Sequence, residues 1–423
     1  MTTDRSPGAT QPPLTERALQ LASDLKQDLD VLVEHTVGSD ARPASLARHL
    51  KLGQSLSARI LRATRADDPV RVLDEVPAPH GLTMFLAAAS DAGVDGALTG
   101  RAAATVMRFE RLIAEFPTGR AGLNAAMAGW DPEAHARACN TAQQAIYRSM
   151  STMLGFHAET MVHSYFVFPS QVDPAYADLG ILMFKLGLQR LRPSSRITLF
   201  GHRVSGPASD VGWVETLDGD YAQDNLPGCF LPEFSSPDGI DRIELFRRPD
   251  LHLFTLPTDE PPLGVSLDVC GATVLRKSSP RVAQGDQRWL WETVVPRLPA
   301  KSMLVDVFVH RDLLPARGEP RLTHSLHGLN HASERPDDPE LDLDQMQLPL
   351  SLEAFEPSDR RLKFTGVRQY VPAVHRMCEA IGASVGAFAG YRLSVRYPAP
   401  LISHTVWIPL DDGASSTTKW GGP

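Results

Sequence analysis

The chain has 423 residues, with 42 lysines and arginines against 50 aspartates and glutamates, a net charge of −8, and 43% hydrophobic and 22% charged residues. That length predicts two or three domains rather than one core, and that composition excludes a disordered or fibrous chain. No segment has the unbroken apolar length of a membrane span, and MTTDRSPGATQPP lacks the basic start and apolar stretch of a signal peptide, so no membrane partner and a cytoplasmic location are predicted.

Residues 1–13 carry Thr, Ser, Gly and Pro without periodic apolar positions and are predicted to be disordered. From Leu14 the positions Leu14, Ala18, Leu21, Leu25, Leu29 and Leu32 recur every three or four residues, which predicts an amphipathic helix ended by Gly38. Pro43 suits the first turn of the next helix. Helical periodicity then runs on to about residue 155: Asp67-Asp68-Pro69 stops one helix and starts another, Pro77 and Pro79 punctuate, and further helices are expected over 99–116 and 132–154.

Within that region ASLARHLKLGQSLSARILRA, residues 44–63, reads as two short helices meeting at a tight turn. Ala47 is small where they would touch, Leu46, Leu50 and Leu52 are apolar, Gly53 lies in the turn, and Ile60 and Leu61 anchor the second helix. Gln54, Ser57, Ala58, Arg59 and Arg62 are then expected to face outward. From Arg42 to Arg71 the bases Arg42, Arg48, Lys51, Arg59, Arg62, Arg65 and Arg71 meet only Asp67 and Asp68, a local positive patch on an acidic chain.

This pattern resembles helix-turn-helix DNA-binding regulators over about twenty residues, through an alanine, a leucine three on and a second apolar residue five on: Ala47, Leu50 and Leu52. The chain departs where the family usually has glycine, here Lys51, and where it usually has valine or isoleucine, here Ser57, with Leu56 one position earlier. The resemblance implies a second helix set into the major groove of double-stranded DNA. Gln54, Ser55, Ser57, Arg59 and Arg62 would lie near bases or flanking phosphates, and Arg48 and Lys51 on the backbone. A homodimer reading paired half-sites is expected.

The character of the chain changes at Met161, where VHSYFVF has the density of a strand. Further strands are predicted over 196–204, 212–217, 241–246, 251–256, 265–275, 303–310, 391–398 and 403–410, and helices over 174–190, 286–296 and 370–382. The fold class is therefore α+β multidomain: an all-helical domain over 14–155, then an α+β domain on a largely antiparallel sheet over 161–410 that senses a small-molecule ligand or mediates assembly. An acidic loop is expected over 334–345 and a flexible tail over 411–423.

Chemistry in the second half is sparsely marked. His310, His324, His327 and His331 lie near Asp306 and Asp312, but Gly328 and Asn330 interrupt the helix that would bring His327 and His331 together, so neither metal nor cofactor is predicted. Phosphate-loop, dinucleotide and nucleophile-elbow patterns are absent. Glu215, Asp218, Asp220, Glu244, Asp268 and Asp306 are candidates to pair as acid and base. Arg190 and Arg192 are expected to cap the helix predicted over 174–190. Cys139, Cys229, Cys270 and Cys378 read as reduced core residues without a basic neighbour. Two alternatives to a regulator remain: an enzyme, marked by a cleft holding titratable groups of shifted pKa, and an assembly protein, marked by exposed apolar surface on the helix from Leu14 to Val33.

Overall fold

The computed structural model describes residues 13–129, 132–193, 196–203, 212–237, 239–247, 251–284, 287–314, 319–326, 336, 345–363 and 367–411. The chain divides into two compact units at Cys139/Asn140, within a helix. The acidic stretch over 337–344, nearly all of the tail, and His327 and His331 lie outside the described residues.

The first unit is built from α1 (Leu14–Val37), α2 (Pro43–His49), α3 (Gln54–Arg65), α4 (Pro69–Glu75), α5 (Pro79–Asp91), α6 (Gly96–Ala114) and α7 (Arg120–Ala128), and α8 (Pro132–Leu154) begins in it. The stripe on α1 is real: Ala18, Leu21, Ala22, Leu25, Leu29, Leu32 and Val33 are all buried, one face of a 3.6-residue period. Because that stripe is covered inside its own unit, the apolar surface expected of an assembly helix is not there. Asp28 is buried among these residues because Arg101 Nε donates to it at 2.6 Å and Thr105 Oγ1 at 2.7 Å. Helix starts follow local chemistry, with Asp68 accepting from the Val70 amide at 2.8 Å and Asp95 from the Ala97 amide at 2.8 Å.

The second unit centres on a seven-stranded sheet in the order β11-β12-β9-β1-β2-β7-β4. Its strands are β1 (Phe156–Pro169), β2 (Tyr176–Arg190), β4 (Val214–Glu215), β7 (Ser266–Pro280), β9 (Ala300–His310), β11 (Glu353–Phe355) and β12 (Phe388–Arg396). All neighbours are antiparallel except β1 and β9, which run parallel with Ala158 opposite Ala300. Two three-stranded antiparallel sheets accompany it. One is β3 (Ile197–Arg203), β6 (Leu251–Leu256) and β5 (Glu244–Arg247); the other is β10 (Arg321–Leu326), β13 (Ile402–Pro409) and β8 (Trp289–Val294). With α9 (Asp359–Leu362) and α10 (Tyr370–Ala380), this is an α+β fold on a largely antiparallel sheet. No helix among the described residues is long and apolar enough to cross a membrane.

Period-two alternation sorts the large sheet into two faces. Val162, Phe166, Leu182, Phe184, Leu304 and Phe308 pack against Tyr370, Val374 and Met377 of α10. The intervening positions, among them Met161, Tyr165, Val305 and Val307, pack against Ile197, Phe200 and Phe254 of one small sheet and Leu290, Val294 and Val406 of the other.

Two predicted helices are strands. Residues 174–190 hold β2, because a strand covered on both faces carries a nearly continuous apolar run that mimics a buried helix. Residues 286–296 hold β8, whose residues pair with β13. Arg190 therefore caps no helix: its guanidinium donates to the carbonyls of Pro257 at 2.8 Å and Glu260 at 2.7 Å. Arg192 does reach helix-end carbonyls, those of Met153 at 2.7 Å and Thr152 at 3.4 Å, at the C-terminus of α8.

Candidate functional site

The basic segment folds as α2 and α3 joined by a short turn. Leu46 and Leu50 are buried from the first helix, and Ile60 and Leu61 from the second. Lys51 takes the left-handed conformation, with φ at 53°, at the position where the resembled family usually has glycine. Gly53 is not the strained residue: its φ is −64°, it precedes α3, and a Cβ built there would meet nothing within 4 Å.

The outward face differs from expectation at three residues, Ser57, Ala58 and Arg59, of which Ala58 is half-buried. Ser57 is fully buried, with its hydroxyl on the Gly53 carbonyl at 3.2 Å, so it fills the core position where the resembled family usually has valine or isoleucine. Leu56 is only partly buried. Arg59 is half-buried and turned toward the end of α4, donating to the carbonyls of Glu75 at 3.2 Å and Val76 at 3.0 Å. Arg62 is exposed but paired with Glu75 at 2.7 Å. Arg48, Lys51, Gln54 and Ser55 are exposed as expected.

The second unit holds a site that the sequence reading missed. His163 and Tyr165 on β1 and Met183 and Lys185 on β2 share the sheet face opposite α10, and with Thr198 and Phe200 of β3, Thr293 of β8, and Arg297 and Leu298 beyond it, they line a cavity of about 200 Å³. Lys185 is 4% exposed. Its ammonium lies 3.0 Å from His163 Nε2 and 5.6 Å from the centre of the Phe200 ring. Among the described residues no carboxylate pairs with it, and none lines the cavity. Burial therefore pulls the Lys185 amine down to about 7, and burial together with the Lys185 charge pulls His163 well below its ordinary value. A neighbouring cavity of about 440 Å³ shares Thr293 and is lined by Ser278, Gln287, Trp291 and Glu292, and burial pushes the Glu292 carboxyl up to about 8. A groove of about 520 Å³ between α1 and α6 is less apt as a site, since its Arg17 and Glu115 already pair with each other at 2.7 Å.

Each carboxylate proposed as an acid–base partner is held by another group. Asp306 is fully buried and forked by Arg392, at 2.7 Å from Nε and 2.6 Å from Nη2, and accepts from the Tyr370 hydroxyl, which lies 2.8 Å from Ser164 Oγ. Burial pushes the Asp306 carboxyl up, against the pull of Arg392 and Tyr370. Glu215 pairs with Arg276 at 2.8 Å, Asp218 with Arg376 at 2.9 Å, Asp220 with Asn225 at 2.9 Å and Glu244 with Arg196, while Asp268 accepts from the Gly187 amide at 2.7 Å.

The histidines also regroup. His324 on β10 faces His404 on β13, Nδ1 to Nδ1 at 2.9 Å, and burial lowers both, to about 4 and about 3. His310 Nδ1 accepts from the Asp312 amide at 3.3 Å. No group of three or more metal-ligating side chains occurs among the described residues. Cys139 does have a histidine beside it, His135 Nε2 at 3.6 Å, yet burial raises its thiol.

No family model and no curated protein matches the chain. Solved structures resemble it distantly. Two structures of a point mutant of a two-domain M1 zinc metallopeptidase, bound to L-tryptophan and to L-arginine, match at 12% identity and a TM-score of 0.22, over 60% of this chain. A protein from Parabacteroides distasonis assigned as a protease matches at 13% and 0.24. The chain spans 42% of the length of the first two and 40% of the third.

Proposed function

We propose that the protein is a DNA-binding regulator whose sheet-rich unit senses a small molecule. The observation that carries this reading is the exposed first turn of α3, Gln54 and Ser55, entered through left-handed Lys51 and flanked by exposed Arg48. A short polar helix start with bases beside it suits a major groove: the Gln54 amide can bond both N6 and N7 of an adenine, Ser55 a base or phosphate, and Arg48 and Lys51 the backbone. Arg62 joins them by exchanging Glu75 for a phosphate, while Arg59 acts behind the surface by holding α4. One such helix binds weakly, so a homodimer on paired half-sites completes the proposal.

Anisotropy of the whole chain with labelled random duplex tests it. Binding is expected at 50 mM salt and should fall by about tenfold or more at 200 mM, as counterion release requires. Absence of binding at low salt overturns the reading.

An enzyme in the second unit is the other reading, favoured by Lys185 and His163 in one cavity. Turnover abolished by Lys185→Met in a protein that binds no DNA would establish it instead.

A further inference from the structure

The cavity of the sheet-rich unit has an unbalanced composition. It offers a buried amine at Lys185, an imidazole at His163 and a guanidinium at exposed Arg297, and among the described residues no acid lines it, Glu292 lining the neighbouring cavity instead. Its remaining wall is mostly apolar, with Met183, Phe200, Leu253 and Leu298. An ammonium removed from water without a counter-charge destabilises a fold, and a methionine-like side chain would fill the same space without that cost. His163 adds to the imbalance: its Nδ1 is buried and has no hydrogen-bond partner among the described residues. When Lys185 donates to His163 Nε2, the ring proton sits on Nδ1, leaving a second buried donor without an acceptor.

We propose that this cavity binds a small apolar molecule bearing one carboxylate, with the carboxylate between Lys185 and Arg297 and the apolar body against Met183, Phe200, Leu253 and Leu298. The bound anion supplies the missing counter-charge, so a residue that weakens the empty fold becomes the anchor of the filled one. The apolar wall selects for an apolar molecule over a bare ion, because inorganic anions leave it uncovered. This inference rests on the sensor reading only for the consequence of binding. A carboxylate that occupies the cavity without changing DNA affinity would end the sensor reading and leave the site intact.

The experiment is calorimetric titration of the whole chain with acetate, hexanoate, benzoate, phenylacetate and indole-3-acetate, each beside its amide, and with inorganic phosphate. At least one of the larger acids is expected to bind, with its amide weaker by about tenfold or more, the loss of one charge-assisted contact. Lys185→Met is expected to lose that binding and to raise the melting temperature of the empty protein. Arg297→Ala, at an exposed position, should weaken binding severalfold with an unchanged circular dichroism spectrum. The proposal is overturned if no acid binds, if amides or phosphate bind as tightly as the acids, or if Lys185→Met leaves binding intact. It is equally overturned if Lys185→Met unfolds the chain while Arg297→Ala leaves binding unchanged, since Lys185 is then structural.

Discussion

The two units handle charge differently. In the helical unit the ion pairs lie near the surface: Arg17 with Glu115, Arg62 with Glu75, Arg108 with Asp24, and half-exposed Arg101 with buried Asp28. In the sheet-rich unit charge goes inside. Asp306 and Asp178 are fully covered and held by Arg392 and Arg276, whereas buried Lys185 and half-buried Glu292 have no ion-pair partner among the described residues. A surface pair contributes little to folding, while a buried charge is either strongly held or strongly perturbed. The difference teaches where chemistry can reside: half-buried Arg120 of the helical unit is held by the Leu73 carbonyl and lies over the Phe109 ring, whereas the sheet-rich unit stores two ionisable groups beside cavities and without an ion-pair partner among the described residues.

The contrast breaks most visibly at Asp306. Changing Asp306→Ala leaves the Arg392 guanidinium buried without its carboxylate and the Tyr370 hydroxyl without its acceptor, and should cost about 3–5 kcal/mol in urea unfolding. A loss below about 1 kcal/mol, the scale of a surface pair, would show that water reaches this network and that the two units are not distinct in this respect.

Glu292 sharpens the comparison through pH. Its folded pKa of about 8 lies above the ordinary 4.5, so the folded chain holds the proton more tightly than the unfolded one. The stability that this group supports is full below about pH 4.5 and is lost as pH rises through about 8. Glu292→Gln, which keeps the neutral shape, should remove that dependence and raise the melting temperature at pH 9 relative to the native chain. Parallel melting curves that keep the same pH slope would show Glu292 to be solvated.

The smallest effects separate two arginines of the helical unit. Arg59→Ala strips carbonyl contacts from the end of α4 and should cost about 1–2 kcal/mol of stability. Arg62→Ala removes one exposed pair and should change stability by less than about 1 kcal/mol while lowering duplex affinity. Equal stabilities for the two variants would return Arg59 to the list of surface residues.

Legibility followed the distance over which each element makes its contacts. The stripe of α1 and the Asp68 cap of α4 rest on neighbours within a turn or two, and both are plain in the sequence. β2 reads as a helix because its two buried faces erase the alternation that marks a strand, and Gly180 and Gly187 hint against it. Ser57 reads as a surface residue by its polarity, although its spacing from Ala47 is that of a core position, where it lies. The Lys185 site joins β1, β2, β3 and β8, which no local pattern connects. One signal was present: a single lysine inside the apolar run Ile181 to Leu188, which a strand reading would have turned inward beside Met183.

The parallel seam in the large sheet has a kinetic consequence. Thr160 Oγ1 and Ser302 Oγ bond at 2.8 Å across 142 positions of sequence, and β12 must then close on β9 from still further along the chain. Ribosomal synthesis therefore delivers β1, β2 and β7 with one flank of β1 open until β9 emerges, whereas α1 and α6 meet over a shorter separation, as in the bond of Arg101 to Asp28 across 73 positions. Folding rate falls as contacts lengthen, so the helical unit is expected to be complete while the edge of β1 still waits as an unpaired strand, open to neighbouring nascent chains and to chaperones.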